Sequence, residues 1–593
     1  MLGFVFVVFT NYFRILAPQL TGYVVNTVVE SIKSPDKKSV DIKKGEKNYD
    51  FAVRQVIAKF DKHPSRKILY AGITLFVIAI ISGFFMFLMR QTIIVMSRHI
   101  EYDQKNEIFT HYQKLDTNFY KTHSTGDLMN RIADDVSKVR MYTGPAIMYF
   151  INLAAVLGFS VFFMFKASPK LTLVALAPLP VLAIAIYFVN TIINKKSERI
   201  QSLLSDLTTN AQESYSGIRV IKSFVQEKAM MFFFEKNSQA YRDNALSLAK
   251  TEAIYFPSMA LLIGLSTLIT IMVGSLDVVN QVPDASVGRI AEFVMYIQML
   301  TFPVSAIGWT ASMTQRAATS QRRINEFLHT KASIKNVAEP VTNALEGNIT
   351  LLHVDFVYPH TGINALKDFS LQINKGQKIA VVGRTGSGKS SLAQLLLHMY
   401  KPQKGMIAFD GIPVNKFDIN SLRGQISYVP QDIFLFSETV RNNIRFGMDD
   451  ATDAAVVAAA KQASIHNEIE KFANGYNTMI GERGVTLSGG QKQRISIARA
   501  LIKDPKIVIF DDCLSAVDAR TEKEIIGNLY RFLQNKTAII ITHRIFALFD
   551  FDKIIVLDDG KIVEQGTHSE LLALKGYYAD MYKRQQEQDK EVE

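Results

Sequence analysis

The densest chemistry in the chain lies in Gly383-Arg384-Thr385-Gly386-Ser387-Gly388-Lys389-Ser390-Ser391, directly after the apolar run Ile379 to Val382. Its glycines let backbone N–H groups turn inward on a phosphate chain, Lys389 can reach the outer phosphates, and the Ser390 hydroxyl can ligate Mg²⁺. The spacing is that of a P-loop. Such a loop needs a buried strand before it and a helix after it. Lys378 to Val382 reads as that strand and Ser391 to Met399 as that helix, whose N-terminus adds attraction for anions.

Two further patterns follow. The apolar run Ile507-Val-Ile-Phe510 delivers Asp511 at its end, where a carboxylate can support Mg²⁺ beside the P-loop serine. Between the two lies Leu487-Ser488-Gly489-Gly490-Gln491, ahead of a helical run from Lys492 to Ile502. A serine hydroxyl and two glycines at a helix start make a second surface suited to phosphate.

The elements that must position these groups fall into two halves. Of the 593 residues, 48% are hydrophobic and 21% charged, and the apolar ones crowd into the first half. That composition suits a protein part membrane and part soluble. The net charge of +12 is spread over loops between apolar runs, which fits basic cytosolic loops and argues against a nucleic-acid partner. A single cysteine, Cys513, excludes an internal disulfide framework and cysteine-based zinc sites.

Six apolar stretches precede the P-loop: Leu2 to about Val28, Ile68 to Met89, about Ala146 to Phe165, Leu171 to Val189, Tyr255 to Leu276 and Ala291 to Trp309. Most approach the ~20 residues a spanning helix needs. The first has no basic region before it, so it does not read as a cleavable signal peptide, and its abrupt beginning at Met1 fits a truncated or mis-assigned start. Asn11 and Arg14 within it are polar at membrane depth, where such side chains face a bundle interior or a watery cavity.

Short connections around Ala167 to Lys170 and Asp277 to Arg289 read as outer loops. Arg90 to Tyr142 and Asn190 to Glu252 read as helices continuing into the cytosol. The Lys-rich segment Ser31 to Lys67 then falls outside, against the positive-inside tendency, because a cytosolic nucleotide site outweighs a statistical bias. The organisation expected is a helical membrane domain over 1–330, a linker over 331–346, an α/β nucleotide-binding domain with a mostly parallel sheet over 347–585, and a charged tail over 586–593.

With these residues in place, the sequence resembles the ATP-binding cassette (ABC) transporter family, exporter branch, over Met1 to about Tyr582. Leu487 to Gln491 matches the family's signature motif, which there covers the ATP held by a second ABC domain. The resemblance implies roles for further residues. Tyr358 would stack on adenine, Gln431 would contact Mg²⁺ and the attacking water, and His543 would reach the γ-phosphate as the switch histidine. Gly481 to Gly484 would sense the membrane domain, and Ser515 to Asp518 would link the two ATP sites. Ala17 to Gly22, Thr125 to Arg131 and Ser216 to Phe224 match the exporter membrane half, the last two as coupling helices.

One position departs from the family. Its Mg²⁺ aspartate is followed by a glutamate that activates water, whereas here Asp511 is followed by Asp512, shorter by one methylene. A displacement of about 1 Å at a catalytic group can cost ~100-fold in rate. Slow hydrolysis at this chain's own P-loop is expected, with ATP and Mg²⁺ still bound.

The resemblance therefore implies half of an exporter in a cell membrane, multi-pass, with its ATP-binding domain in the cytosol. A heterodimeric pair is favoured over a homodimer, and lipids, drugs or other amphiphiles are the candidate cargo. An ATP-gated channel or a regulatory half without pumping is the alternative. A soluble ABC ATPase is excluded by the six apolar stretches.

Overall fold

The computed structural model describes residues 1–33, 48–60, 66–481, 484, 487–513, 519–543 and 550–592. Two compact units form: residues 1–111 with 128–329, and residues 112–127 with 330–593.

The first unit is helical. Leu2–Lys33, Lys67–Lys114, Ile147–Ala167, Glu227–Val279 and Val287–Leu328 carry five of the six apolar stretches. The fourth is divided between Pro169–Leu176 and Pro178–Ser216. Ala177 marks the break, because Pro178 removes a backbone donor and crowds the preceding turn. Among the described residues, five helices are long and apolar enough to cross a membrane. Lys67–Lys114 and Glu227–Val279, 48 and 53 residues long, exceed what a bilayer needs and continue past it as unbroken helix.

Helix Leu2–Lys33 packs tightly along Val287–Leu328. A Cβ on Gly288 would fall 1.9 Å from the Gly22 carbonyl oxygen, so only glycine permits this approach. Asn26 seals the crossing by accepting from the Gly288 N–H at 2.7 Å. The core between them holds Ile15, Leu20, Tyr23, Phe293, Tyr296 and Leu300. An amphipathic helix, Phe51–Phe60, turns Val53, Ile57 and Phe60 onto the same core, which hydropathy alone does not single out. Asn11, expected to be polar at membrane depth, is buried and donates to Asn152 at 2.8 Å.

The second unit contains two sheets. Strands β1 (Ile349–Val357), β2 (Asn364–Ile373), β4 (Lys404–Phe409) and β5 (Ile412–Pro413) form an antiparallel sheet in the order β2-β1-β4-β5. Strands β3 (Lys378–Gly383), β6 (Ile426–Val429), β7 (Ile507–Asp511), β8 (Thr537–Ile541), β9 (Lys553–Asp558) and β10 (Lys561–Gly566) form the other, in the order β10-β9-β3-β8-β7-β6.

In the second sheet every pairing is parallel except that of β10 with β9. Every residue of β7 and β8 is buried, as expected for strands covered on both faces. The carboxyl ends of β3, β8 and β7 lie side by side, which is where open α/β sheets gather ligand-binding loops.

Candidate functional site

The P-loop begins where β3 ends. Gly388 caps helix Lys389–Leu396 with φ at 103°, and a Cβ there would lie 2.3 Å from the Ala365 carbonyl oxygen. Glycine is therefore required twice over, by backbone conformation and by space. Lys389 curls back, donating to the carbonyl oxygens of Gly383 at 2.8 Å and Arg384 at 2.7 Å. Burial draws its ammonium below the ordinary lysine value, while Asp512 and Asp511 oppose that shift. Ser387 is 4% exposed and its Oγ has no hydrogen-bond partner among the described residues. An unpaired buried hydroxyl inside a cradle of N–H groups fits a phosphate oxygen.

Asp511 ends β7 and stands across β8 from the P-loop. Ser390 Oγ donates to its Oδ1 at 3.1 Å and the Tyr428 hydroxyl to its Oδ2 at 3.1 Å. Burial pushes the carboxyl above the ordinary aspartate range, these hydrogen bonds pull it back, and the neighbouring Asp512 adds to the rise. Hydroxyl and carboxylate oxygens are the hard donors Mg²⁺ takes, so Ser390 and Asp511 would hold it. The ion would neutralise charge on the phosphates. Tyr428 orients Asp511 through a long-range contact between β6 and β7, and no local spacing rule in the sequence singles it out.

Asp512 is 15% exposed at its side chain and sits in left-handed backbone, with φ at 50°. Its N–H donates to the Ile541 carbonyl at 2.8 Å, and its Oδ1 lies 2.8 Å from His543 Nδ1. The two residues where a base and a switch histidine are expected are thus paired. Gln431 is exposed two residues beyond β6.

Tyr358 is half-buried with Phe356 and Tyr400 against its ring, at centroid distances of 4.8 and 5.4 Å. Its hydroxyl meets Ser391 Oγ at 2.8 Å and Gln394 Oε1 at 3.2 Å. That ties the ring to the P-loop helix. Arg384 is exposed and lies over the Tyr577 ring at 5.4 Å, Gly386 is open on its Cβ side, and Thr385 is exposed.

The signature opens helix Gly489–Leu501. Ser488 is its N-cap, accepting from Gln491 N at 3.2 Å, while Gln491 Oε1 accepts from Ser488 N at 3.0 Å. This reciprocal capping box follows directly from a serine placed three residues before a glutamine. Ser488 and Gly489 are exposed, Gly490 is buried and Leu487 is partly buried. Support comes from Glu468, which the motif does not contain. Its Oε2 accepts from Gln491 Nε2 at 3.0 Å and its Oε1 from Arg494 Nη1 at 2.5 Å. Glu482, Arg483 and the whole of Ser515 to Asp518 lie outside the described residues.

A P-loop, a carboxylate on the adjacent strand and a capped signature helix define a nucleotide-binding domain of ABC type. Comparison with known proteins agrees. Residues 1–304 match the family model described as ABC transporter transmembrane region, and residues 366–515 match the one described as ABC transporter.

Among curated relatives, a probable multidrug resistance ABC transporter ATP-binding/permease protein, YheI of Bacillus subtilis, is 39% identical over 81% of this chain and 82% of its own length. The multidrug resistance-like ATP-binding protein MdlA of Escherichia coli is 34% identical over 86% and 87%. An ATP-dependent lipid A-core flippase of Pseudomonas aeruginosa is 34% identical over 82% and 80%. A bacterial Atm1-family ABC exporter with ATP bound shares the fold, at a TM-score of 0.77 and 24% identity over 98% of this chain and 97% of that one. The chain belongs to the ABC transporter family, as a membrane-spanning exporter with its ATP-binding domain in the cytosol.

Proposed function

We propose that the chain is one half of a dimeric exporter that uses ATP to move an amphiphile, a lipid or a drug, across the membrane by alternating access. The observation that carries this reading is the presence, in one unit, of a P-loop with its own Mg²⁺ ligands and of a capped signature helix whose Ser488 and Gly489 are exposed. Each surface is half of a site, and a second chain supplies the complement. Tyr215, Phe224, Val225 and Phe232 on the second inner loop are each more than 70% exposed, which supports a partner that covers them. The names of the relatives, multidrug resistance proteins and lipid A-core flippases, support an amphiphilic cargo.

In this mechanism Lys389 and the loop N–H groups hold the phosphates, Ser390 and Asp511 hold Mg²⁺, and Tyr358 offers its ring to adenine. Gln431 would contact Mg²⁺ and the attacking water, Asp512 would orient that water, and His543 would reach the γ-phosphate. Closure over two nucleotides is passed to the membrane half by the inner loops, and hydrolysis resets it. The transport step needs only that ATP favour the closed arrangement over the open one.

The pairing of Asp512 with His543 and its short reach support slow hydrolysis at this P-loop, with the partner's site turning over faster beneath Ser488 to Gln491. The test is ATPase activity of the purified chain alone and with the product of a neighbouring transporter gene. Full-rate turnover by the chain alone sinks the heterodimer. ATP-driven uptake against a gradient in sealed vesicles separates pumping from a gated channel, which only equilibrates its solute.

A further inference from the structure

The two oxygens of the Asp511 carboxylate are treated differently. Ser390 Oγ donates to Oδ1 and the Tyr428 hydroxyl to Oδ2, each at 3.1 Å, and the residue is only 2% exposed. The oxygen beside Ser390 is the one placed to share a metal ion with it. The other is occupied by a phenol.

Only a long side chain at this point of β6 can reach that oxygen. Tyr428 is paired with Ile509, two residues before Asp511 on β7. Side chains two apart on a strand share a face, and the offset along the strand is about 6.6 Å at a rise of about 3.3 Å per residue. A tyrosine ring bridges that gap, whereas serine or threonine would fall short. The ring is packed against the core of the nucleotide-binding unit, so its hydroxyl is delivered from a fixed position.

The number of oxygens a carboxylate offers is what separates the two common divalent cations. Ca²⁺ accepts a carboxylate through one oxygen or both, at about 2.3–2.6 Å, whereas Mg²⁺ demands a near-ideal octahedron at about 2.0–2.1 Å. A carboxylate binding through both oxygens bites too narrow an angle for an octahedron. With Oδ2 bonded to Tyr428, Asp511 offers Oδ1 alone. Freed of that bond, it could turn both oxygens to the larger ion.

We infer that Tyr428 is a specificity-determining residue of this ATP site, holding Asp511 as a one-oxygen ligand and so selecting Mg²⁺ over Ca²⁺. It acts through Asp511 and is a positioning residue. The inference rests on the reading above that Ser390 and Asp511 hold Mg²⁺, and it adds what sets the choice of ion.

The test uses the full transporter with its partner in lipid nanodiscs and 8-azido-ATP as the probe, because photolabelling reports this chain apart from its partner. Labelling at a fixed, subsaturating nucleotide concentration gives the half-saturating free concentration of Mg²⁺ and, in parallel, of Ca²⁺. Tyr428→Phe keeps the ring and removes the hydroxyl. It should raise the Mg²⁺ requirement about tenfold, the lower end of what losing a ligand's hydrogen-bond partner costs a metal site, and leave or lower the Ca²⁺ requirement. 3-Fluorotyrosine at position 428, a stronger donor of nearly the same size, should widen the preference for Mg²⁺. That second protein gives a result even if phenylalanine destabilises the domain.

A narrowed preference in the first protein or a widened one in the second upholds the inference. A hydroxyl with a merely structural role gives another pattern, a lower melting temperature with both cation requirements unchanged or raised alike, and that pattern overturns it. Labelling of this chain that ignores both cations removes the Mg²⁺ reading of Ser390 and Asp511, and the inference with it.

Discussion

The P-loop and the signature are both phosphate-facing surfaces at the start of a helix, yet they are built by opposite means. The P-loop relies on unusual backbone: Gly383, Gly386 and Gly388 all have positive φ, and neighbouring carbonyls leave no room for a side chain at Gly383 or Gly388. It carries its own cation, metal ligands and acid. The signature relies on ordinary helix capping, Ser488 with Gln491, and is braced from behind by the ion pair of Glu468 with Arg494, whose side chain is only 8% exposed. It has no base of its own. On the proposed reading, one surface is equipped to hold a nucleotide and the other to complete a site held by a second chain.

Lys389→Ala should break the comparison most severely. It removes the cation that binds phosphate on one side only, and nucleotide binding to this chain should fall at least ~100-fold while the signature remains able to serve a partner. Binding of a fluorescent ATP analogue to each subunit of the pair measures it.

Ser488→Arg should do the converse. ATP binding by this chain should persist, and turnover of the pair should fall on the order of 100-fold, because the hydroxyl is lost and a bulky cation blocks the phosphate surface. Equal losses at both sites would show that the two surfaces are not separable.

Asp512→Glu sharpens the contrast by restoring reach. ATPase at this P-loop should rise about tenfold, with little change in ATP affinity. Unchanged turnover would mean that the backbone at φ 50°, and not side-chain length, limits the site.

Glu468→Gln should loosen only the signature. It leaves Arg494 without its anion and should lower stability by about 2–3 kcal/mol, less than for a fully buried pair because Glu468 is 37% exposed. A fall in kcat of the pair with an unchanged KM at this chain's own site marks the effect as transmitted through Gln491.

The smallest effect is on acidification, and it falls on the P-loop side. His398, 3% exposed, follows the P-loop helix, and burial holds its pKa down at about 4 against the ordinary 6.5. The unfolded chain therefore takes the proton first. Stability is full above pH 6.5 and is lost as pH falls toward 4, by about 1–2 kcal/mol at pH 5. Melting temperatures at pH 7 and pH 5 should show this loss. They should show it reduced in His398→Asn, which tolerates the left-handed backbone, φ 50°, at that position.

The sequence by itself was enough for the chemistry that is local along the chain. Glycine spacing defines the P-loop, Ser488 and Gln491 define a capping box, and six apolar stretches define a membrane half, because each depends on residues a few positions apart. Only the tertiary structure decided what holds these pieces. Tyr428 reaches Asp511 because β6 lies beside β7, Glu468 braces Gln491 from a separate helix, and His543 meets Asp512 because β8 separates β7 from the P-loop strand.

The same division applies to the polar residues of the first apolar stretch. The sequence marks Asn11 and Arg14 as costly at membrane depth, but only packing shows that Asn11 is buried against Asn152 while Arg14 stays exposed. The physical reason is range. Backbone conformation and capping are settled within a turn or two of chain, whereas burial and partnership depend on which distant segments the fold brings alongside.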